Sequence, residues 1–375
     1  MKRNALAIII SVVIIASSIS VYAETPYLDS LWDSYRTYKD NTYDVYCDEG
    51  VSAYTVSANG TWQIFKGESK DETILRFSLG NRYSEYKVKV PDSITDKKHG
   101  KLYIKAIDRS CSFKEFDLNP ENKYMKLVDN VVFSKDGKIL MSYAQEDERT
   151  VYEIPNGTKV ISEFAFLYCN NIEELIIPDS VTEIEHDAFF NMRSLKKVNI
   201  PPLVEELDNT FCACDNLSEV YIPPNSNLKK IVHTVFKDAE FCELTLPSFE
   251  IEISNIAFGY NAENVKLKSY VKPIVKTNYS VGEYILRWDE IPNASKYEIY
   301  QKKSDGSYKL LKETQDLSLK INGIKAGKTY TFSVKPIAEI KATPYEPRHV
   351  GFDEKRLPEY YIIEGTMSDD VTIVG

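Results

Sequence analysis

The sequence predicts a mainly β protein with short helices, in which a solenoid of short coils is followed by a β-sandwich. Three observations predict it. A phrase opening on Ile-Pro, once on Leu-Pro, begins at Ile154, Ile177, Ile200, Ile222 and Leu246, so successive copies lie 23, 23, 22 and 24 residues apart. A period this constant marks a solenoid, whose units bury their apolar faces only against their neighbours. Within each copy the apolar residues fall into columns at fixed offsets from a phenylalanine. Beyond Lys272-Pro273 the period stops, and short alternating runs separated by turn residues replace it, as a sandwich requires.

In chain order the first element is an export signal over residues 1–23. Lys2 and Arg3 precede an apolar run from Ala5 to Ala16, and Ser17, Ser18 and Ser20 lead to Val21-Tyr22-Ala23. Small residues at Val21 and Ala23 fit the cleavage rule and put the mature start at Glu24. The alternative is an uncleaved anchor, since Ala5 to Tyr22 approaches spanning length. No other run is long enough to cross a bilayer, so no membrane insertion is expected after signal cleavage and the rest of the chain reads as extracellular. Over 24–50, Leu28, Leu31, Trp32, Tyr35 and Tyr38 recur at spacings of three and four, which suits a short amphipathic helix capping the open first coil. Disorder is the other reading of that segment.

The solenoid is expected over 51–269. Counting from the phenylalanine of each coil, Ile172, Leu195, Leu217 and Cys242 stand six residues on, Leu175, Val198 and Val220 nine on, and Ile177, Ile200 and Ile222 eleven on. The stretch Leu-x-x-Val-x-Ile-Pro alternates as a half-buried strand, and Pro, having no N–H, ends it. Stacked coils would pair these strands in parallel. A second apolar pair, Val181 with Ile184 or Val204 with Leu207, marks the opposite wall. Ala165-Phe166, Ala188-Phe189 and Ala257-Phe258 follow, with Phe filling the coil centre and Ala permitting a tight helical turn; Thr210-Phe211 and Val235-Phe236 are degenerate copies. Upstream, Val90-Pro91-Asp92-Ser93-Ile94-Thr95 repeats Ile177 to Thr182 almost residue for residue. After an insertion holding Lys97, Lys98 and Gly100, residues Ile107 to Leu118 read as a further coil. Val131 to Leu140 then reads as two strands around an Asp136-Gly137 hairpin that would bulge from the solenoid before Ile154 restores the period.

These units resemble the BspA-like bacterial leucine-rich repeats, whose pattern runs Ile-Pro-x-x-Val-x-x-Ile-x-x-x-Ala-Phe-x-x-Cys-x-x-Leu-x-x-Val. The resemblance covers about Val51 to Ser269, including the cassette from Asn119-Pro120 to Leu140. It departs at His186 and Val232, near sites where the family prefers Gly, and in the degraded final coil, which affects loop shapes rather than the solenoid. Relatives of this solenoid include adhesins to host matrix proteins, so the resemblance implies a binding role.

The sandwich is expected over 270–375. Ile285-Leu286-Arg287-Trp288 alternates, Ala294 to Tyr300 carries Tyr297, Ile299 and Tyr300, and Asp305-Gly306 is a hairpin turn. Ile324, Gly327 and Tyr330 precede Phe332-Ser333-Val334, and a last strand is expected near Tyr361 to Thr366. The segment resembles a fibronectin type III domain, in which a Tyr hydroxyl tied back to upstream backbone would explain the corner from Ile324 to Tyr330. The connection from Glu339 to Pro358, with Pro344, Pro347 and Pro358, is a surface contact loop or a floppy one. No low-complexity linker divides the two units, so a close junction near Ser269 is expected.

Composition narrows the role. With 43% hydrophobic and 27% charged residues the chain is a folded protein, and a net charge of −10 argues against nucleic acid, whose binders concentrate Lys and Arg. Tyrosine is abundant, 26 copies against 16 Phe and 3 Trp, and suits both sheet faces and contact surfaces. Six cysteines in an exported chain suggest disulfides, but Cys169, Cys214 and Cys242 stand in core columns, where cysteine acts as a small hydrophobe. Free thiols are expected, with a Cys214–Cys242 or Cys111–Cys169 bridge as the alternative.

Catalytic chemistry is mostly missing. His99, His186, His233 and His349 show no His-x-x-x-His or His-Glu-x-x-His spacing, so no metal site is expected, and His186 and His233 read as exposed loop residues beside the repeat Phe. A Cys169–His186 nucleophilic pair is imaginable, but a core thiol lacks the electropositive opening a thiolate needs. The acid pairs Asp71-Glu72, Glu146-Asp147-Glu148, Glu173-Glu174, Glu205-Glu206 and Asp369-Asp370 read as solvated turns or faces rather than glycosidase carboxylates. Calcium loops, phosphate loops, nucleophile elbows and dinucleotide fingerprints do not occur. Asn59, Asn156 and Asn293 head sequons, useful only in a glycosylating host. The reading is an extracellular, non-catalytic binding or adhesion protein without cofactor, contacting a protein or glycan through the repeat surface. Tyr168, Tyr221 and Tyr260 are the candidate contacts because they lie off the core columns. The alternatives are an accessory module that targets a partner hydrolase to polysaccharide, favoured if exposed aromatics form a planar row, and a structural envelope protein. No Leu-Pro-x-Thr-Gly sorting tail follows Gly375, so free secretion or non-covalent surface association is expected.

Overall fold

The computed structural model describes residues 115–375 apart from 146, 242, 281 and 345–356; upstream of 115 it describes Asp92 and the backbone of seven strands. The export signal, Cys111, Cys242, His99, His349 and the middle of the connection before Pro358 lie outside the described residues. Strands β1 (Tyr35–Arg36), β2 (Ser52–Ser57), β3 (Gly60–Lys66) and β4 (Thr73–Ser78) form one sheet in that order, antiparallel except for β1 with β2. Tyr35, expected on a helix, is therefore in a strand; the rest of that helix lies outside the described residues. The parallel ladder starts at β5 (Lys87–Val90). A hairpin of β6 (Ser93–Asp96) and β7 (Gly100–Tyr103) follows it, and β8 (Glu115–Leu118) then pairs in parallel with β5, Val90 opposite Leu118.

Strands β9 (Met125–Val128), β10 (Val131–Ser134) and β11 (Ile139–Tyr143) form an antiparallel meander, with Gly137 at φ 78° in the turn where only glycine sits without strain. This hairpin does not bulge from the solenoid, because its own apolar side chains, Val131, Phe133 and Leu140, are buried in the main core. From there the chain coils. One wall is a parallel sheet of β12 (Val151–Glu153), β14 (Glu174–Ile176), β16 (Lys197–Asn199) and β18 (Glu219–Tyr221). The opposite wall runs from β11 through β13 (Val160–Ile161) and β15 (Glu183–Ile184), then through β17 (Glu206–Asp208), β19 (Lys230–Val232) and β21 (Glu252–Ile253). The columns counted from the sequence are the core: Ile172, Leu175, Ile177, Leu195, Val198, Ile200, Leu217 and Ile222 are all buried, and so are the opposite pairs.

A third side carries the phenylalanines. Phe166, Phe189, Phe211, Phe236 and Phe258 stack along the axis with ring centroids 5.3, 5.1, 5.9 and 5.7 Å apart. Short helices were expected here, yet among the described residues only a 3-10 helix at Gly259–Asn264 forms. The other coils turn through two left-handed residues each, Phe164 and Tyr168, Asp187 and Asn191, Asn209 and Ala213, His233 and Asp238, at φ between 51 and 71°. A left-handed residue breaks a right-handed helix before it can propagate.

The first wall continues through β20 (Glu243–Leu246) and β22 (Lys266–Ser269), and then leaves the solenoid. A three-stranded sheet of β23 (Val275–Ser280), β24 (Glu283–Trp288) and β27 (Ser318–Ile321) faces a second sheet holding β25 (Lys296–Lys302), β26 (Tyr308–Thr314) and β28 (Thr329–Lys341). The expected Asp305-Gly306 turn joins β25 to β26, with Gly306 at φ 84°. The Tyr330 hydroxyl accepts from the Lys325 N–H at 3.3 Å, tying the expected corner. The strand expected last, β29 (Tyr360–Gly365), is not last: β30 (Val371–Val374) follows it and pairs with the first half of β28. Strand β29 instead lies between β22 and the second half of β28, parallel to the former and antiparallel to the latter. Both of its inward residues, Tyr361 and Ile363, belong to the solenoid core. The close junction expected near Ser269 is thus one hydrogen-bonded sheet.

Candidate functional site

Along the first wall each short strand points one residue in and its neighbours out, so the outward side chains form ladders across the coils. Val151, Ile176, Tyr221 and Ile362 are exposed on this face, and Tyr360 stands beside them at the strand end. Between them run cross-strand ion pairs: Lys197 with Glu174 at 3.4 Å and Lys268 with Glu243 at 2.6 Å. Asn199 braces the face by accepting from the Ile177 N–H at 2.8 Å and donating to its carbonyl at 2.7 Å. Further along the sheet Lys335 lies between Glu298 at 3.0 Å and Glu364 at 3.2 Å, with Lys335 and Glu298 only 16% and 15% exposed. Burial alone would raise the Glu298 carboxyl pKa, but hydrogen bonds from Tyr300 and Lys335 and the charge of Lys335 hold it below the usual range.

The turn wall carries a different cluster. His186, Asp208 and His233 each stand three residues before the phenylalanine of their coil, so the solenoid stacks them in one row. His186 Nδ1 is 3.1 Å from Asp208 Oδ1, the same oxygen meets His233 Nδ1, and the two imidazoles lie 5.9 Å apart nearly edge to face. Behind the row, His186 Nε2 is 3.1 Å from Asp187 Oδ2. Asn209 Nδ2 donates to Asp187 Oδ1 and Thr234 Oγ1 donates to Asn209 Oδ1. Burial works to lower the His186 pKa, yet hydrogen bonds to Asp187 and Asp208 and their charges raise it to about 10. Asp208 is pushed the other way: burial would raise it, but the two histidines bring it to about 2. Cys169, by contrast, is wholly buried, and desolvation pushes its thiol far up, so it offers no thiolate to His186. Cys169 and Cys214 are free thiols, and Cys169, Cys212 and Cys214 are all buried.

The three tyrosines singled out from the sequence are exposed but do not come together. Tyr168 and Tyr260 occupy the same position, two residues after their phenylalanines, yet Asn191, Ala213 and Asp238 hold that position in the coils between; Tyr221 is on the first wall. Tyr260 borders a groove of about 500 Å³ between the 3-10 helix and β29, also lined by Val265, Leu267, Leu357 and Ile362. The histidine row carries no spacing of two imidazoles along one helix face. A constant offset of three before the repeat phenylalanine was the signal that could have found it.

Residues 142–266, a third of the chain, match in six copies the family model described as BspA type leucine rich repeat region. The matched segment is the leucine-rich-repeat part of the solenoid described above. Among curated proteins, tip attachment protein J of Escherichia phage SECphi27 is 33% identical over 84 residues, which are 22% of this chain and 7% of that protein. Among solved structures, the chain is similar to the pneumococcal vaccine antigen PcpA, at 19% identity and a TM-score of 0.36 over 45% of this chain and 49% of that one. It is also similar to a leucine rich cell surface protein from Faecalibacterium prausnitzii, at 20% identity and a TM-score of 0.32 over 50% of this chain and 41% of that one. The chain thus spans less than half the length of each of these proteins. Among the described residues, no helix is long and apolar enough to cross a membrane.

Proposed function

We propose that this chain is an extracellular, non-catalytic binding protein that engages a protein partner through the outer face of its first wall. The observation that carries the reading is the length of that wall: beside the four-stranded sheet β12-β14-β16-β18 stands a second sheet that runs from β20 and β22 through β29 into the sandwich. An open ladder of alternating charge with isolated Tyr221, Ile176 and Ile362 gives a partner many weak contacts around a few anchors, which is how protein interfaces distribute their energy. A polysaccharide-targeting module would present its aromatics in a row, and the exposed tyrosines are scattered over different walls. On this reading residues 1–23 direct export, 24–50 cap the first coil, 51–269 form the repeat region, and 270–375 form a fibronectin type III-like sandwich that acts as spacer and second contact. The two facing sheets and the tied corner at Tyr330 support that last assignment.

The test is a binding screen of the exported chain against extracellular matrix proteins and a glycan array. Saturable protein binding is expected, with Tyr221→Ala weakening it by about tenfold or more, as loss of an interfacial aromatic does, while Tyr168→Ala leaves it unchanged. Glycan binding alone would replace this reading with the polysaccharide-targeting one, and no saturable ligand in either screen would sink both.

A further inference from the structure

We propose that His186, Asp208 and His233 bind a divalent late first-row transition-metal ion, zinc above all, on the turn wall of the solenoid. Three successive coils place one donor each in a single row, and the donor atoms all lie within 4.8 Å of one another. Around a tetrahedral ion with bonds of about 2.0–2.2 Å, neighbouring donors stand roughly 3.3 Å apart. His186 Nδ1 stands 3.1 Å from Asp208 Oδ1, and His233 Nδ1, hydrogen-bonded to that oxygen, draws back by roughly 1 Å to admit an ion. Two imidazoles with one carboxylate suit zinc, copper and nickel, whereas calcium and magnesium take oxygen donors.

The layer behind the donors is the second, independent observation. Asp187, Asn209 and Thr234 immediately follow the three donors in sequence and are 3%, 0% and 1% exposed. Asp187 takes the Nε2–H of His186, which turns Nδ1 outward toward Asp208 and fixes the tautomer, the carboxylate–histidine–metal arrangement. Asn209 and Thr234 hold Asp187 in turn. The plain surface ladders of this solenoid look different: Lys196 with Glu173 and Lys229 with Glu205 pair through side chains that are about half exposed or more. Since the His186 and His233 side chains are 31% and 40% exposed, coordination positions remain open to water or to a donor from a bound partner.

The exported chain, stripped with chelator and titrated calorimetrically with zinc chloride, is expected to take up one ion in a saturable step and to unfold at a higher temperature with zinc than without. Loaded with Co²⁺ instead, it should show the visible ligand-field bands of a histidine-bound ion. His186→Gln and His233→Asn should each weaken zinc binding by about 100-fold or more, and Asp187→Asn, which touches no metal, by about 10- to 100-fold. Asn tolerates the left-handed backbone at position 233, so His233→Asn keeps the fold and reads the site even if Asp187→Asn does not fold. Absence of a one-ion step in the unaltered chain would overturn the proposal. So would zinc binding that both histidine variants retain at full strength, because the ion would then sit elsewhere.

Discussion

In the solenoid the aromatic rings stack along one axis, from Tyr143 through the five phenylalanines to Tyr361, each phenylalanine meeting the ring of the coil before and the ring of the coil after. In the sandwich, Leu286, Trp288 and Ile321 from one sheet meet Tyr297, Ile299, Phe332 and Val334 from the other, so each side chain touches partners distant in sequence. One strand belongs to both. The first half of β28 gives Phe332 and Val334 to the sandwich core, and Ala338 toward its end joins the solenoid core with Tyr361 and Ile363 of β29. The last coil is closed on both walls by this device: β29 pairs with β22 on the first, and Thr343 bridges Ser254 on the second, accepting from the Asn255 N–H at 2.9 Å. A solenoid needs its ends covered to stay soluble, and here a neighbouring fold covers one, so the two units should unfold together.

The largest test of that coupling is Phe211→Ala. Phe211 is fully buried between Phe189 and Phe236, with its ring nearly parallel to both, so its loss leaves a cavity in the middle of the stack. Truncating a core Phe costs about 3–5 kcal/mol. In chemical denaturation of a chain carrying Trp32→Phe and Trp62→Phe, Trp288 fluorescence from the sandwich and far-ultraviolet dichroism from the whole chain should shift together. A sandwich transition left at its original midpoint would break the comparison, since it would mean the shared strand transmits nothing.

Next in size is Tyr361→Phe, aimed at the join itself. The Tyr361 hydroxyl donates to the Ser254 carbonyl at 2.9 Å in a buried setting, while its ring meets Phe258 edge to face at 5.8 Å. Removing only the hydroxyl takes one of two donors from the Ser254 carbonyl, which keeps the Ala257 N–H at 3.0 Å, at a cost of about 0.5–1.5 kcal/mol. Hydrogen exchange should then quicken at the last coil, around Ser254 and Phe258, before it quickens at Trp288. Equal quickening at both would show that the hydroxyl stabilises the whole rather than the join.

These two regions were not equally legible in the sequence. The solenoid columns could be counted because each coil repeats the same local problem, and Ile172, Leu195 and Leu217 are buried where the count put them. The sandwich gave up its Asp305-Gly306 turn and its Tyr330 corner for the same local reasons. The shared strand was hidden, because β28 finds β29 across a long connection and β29 finds β22 across the sandwich, and alternation alone does not name a partner. Residues Tyr361 to Thr366 therefore looked like an ordinary final strand. The histidine row was hidden for the opposite reason: its spacing is set by the coil and not by a helix, so a local motif search passes over it.

The smallest effect is expected at the end of the sandwich farthest along β28 from the join. Asp370 accepts from Lys302 Nζ, Tyr308 Oη and Ser333 Oγ, each at 2.7 Å, and these bonds lower its pKa from 3.8 to about 2. A carboxyl held low in the folded state contributes stability that is complete above its unfolded value and fades as pH falls through the folded one. Asp370 should therefore stabilise the chain down to about pH 4 and lose that contribution between there and about pH 2. The group is largely open to water, so the contribution is at most about 1 kcal/mol and shrinks with salt. Asp370→Asn should flatten the acid limb of the stability curve in that window and, at neutral pH, lower the curve by that amount without changing its slope. Because Asp370 contacts only the half of β28 that serves the sandwich, exchange around Ser254 should not respond; if it does, the two halves of the strand act as a single lever.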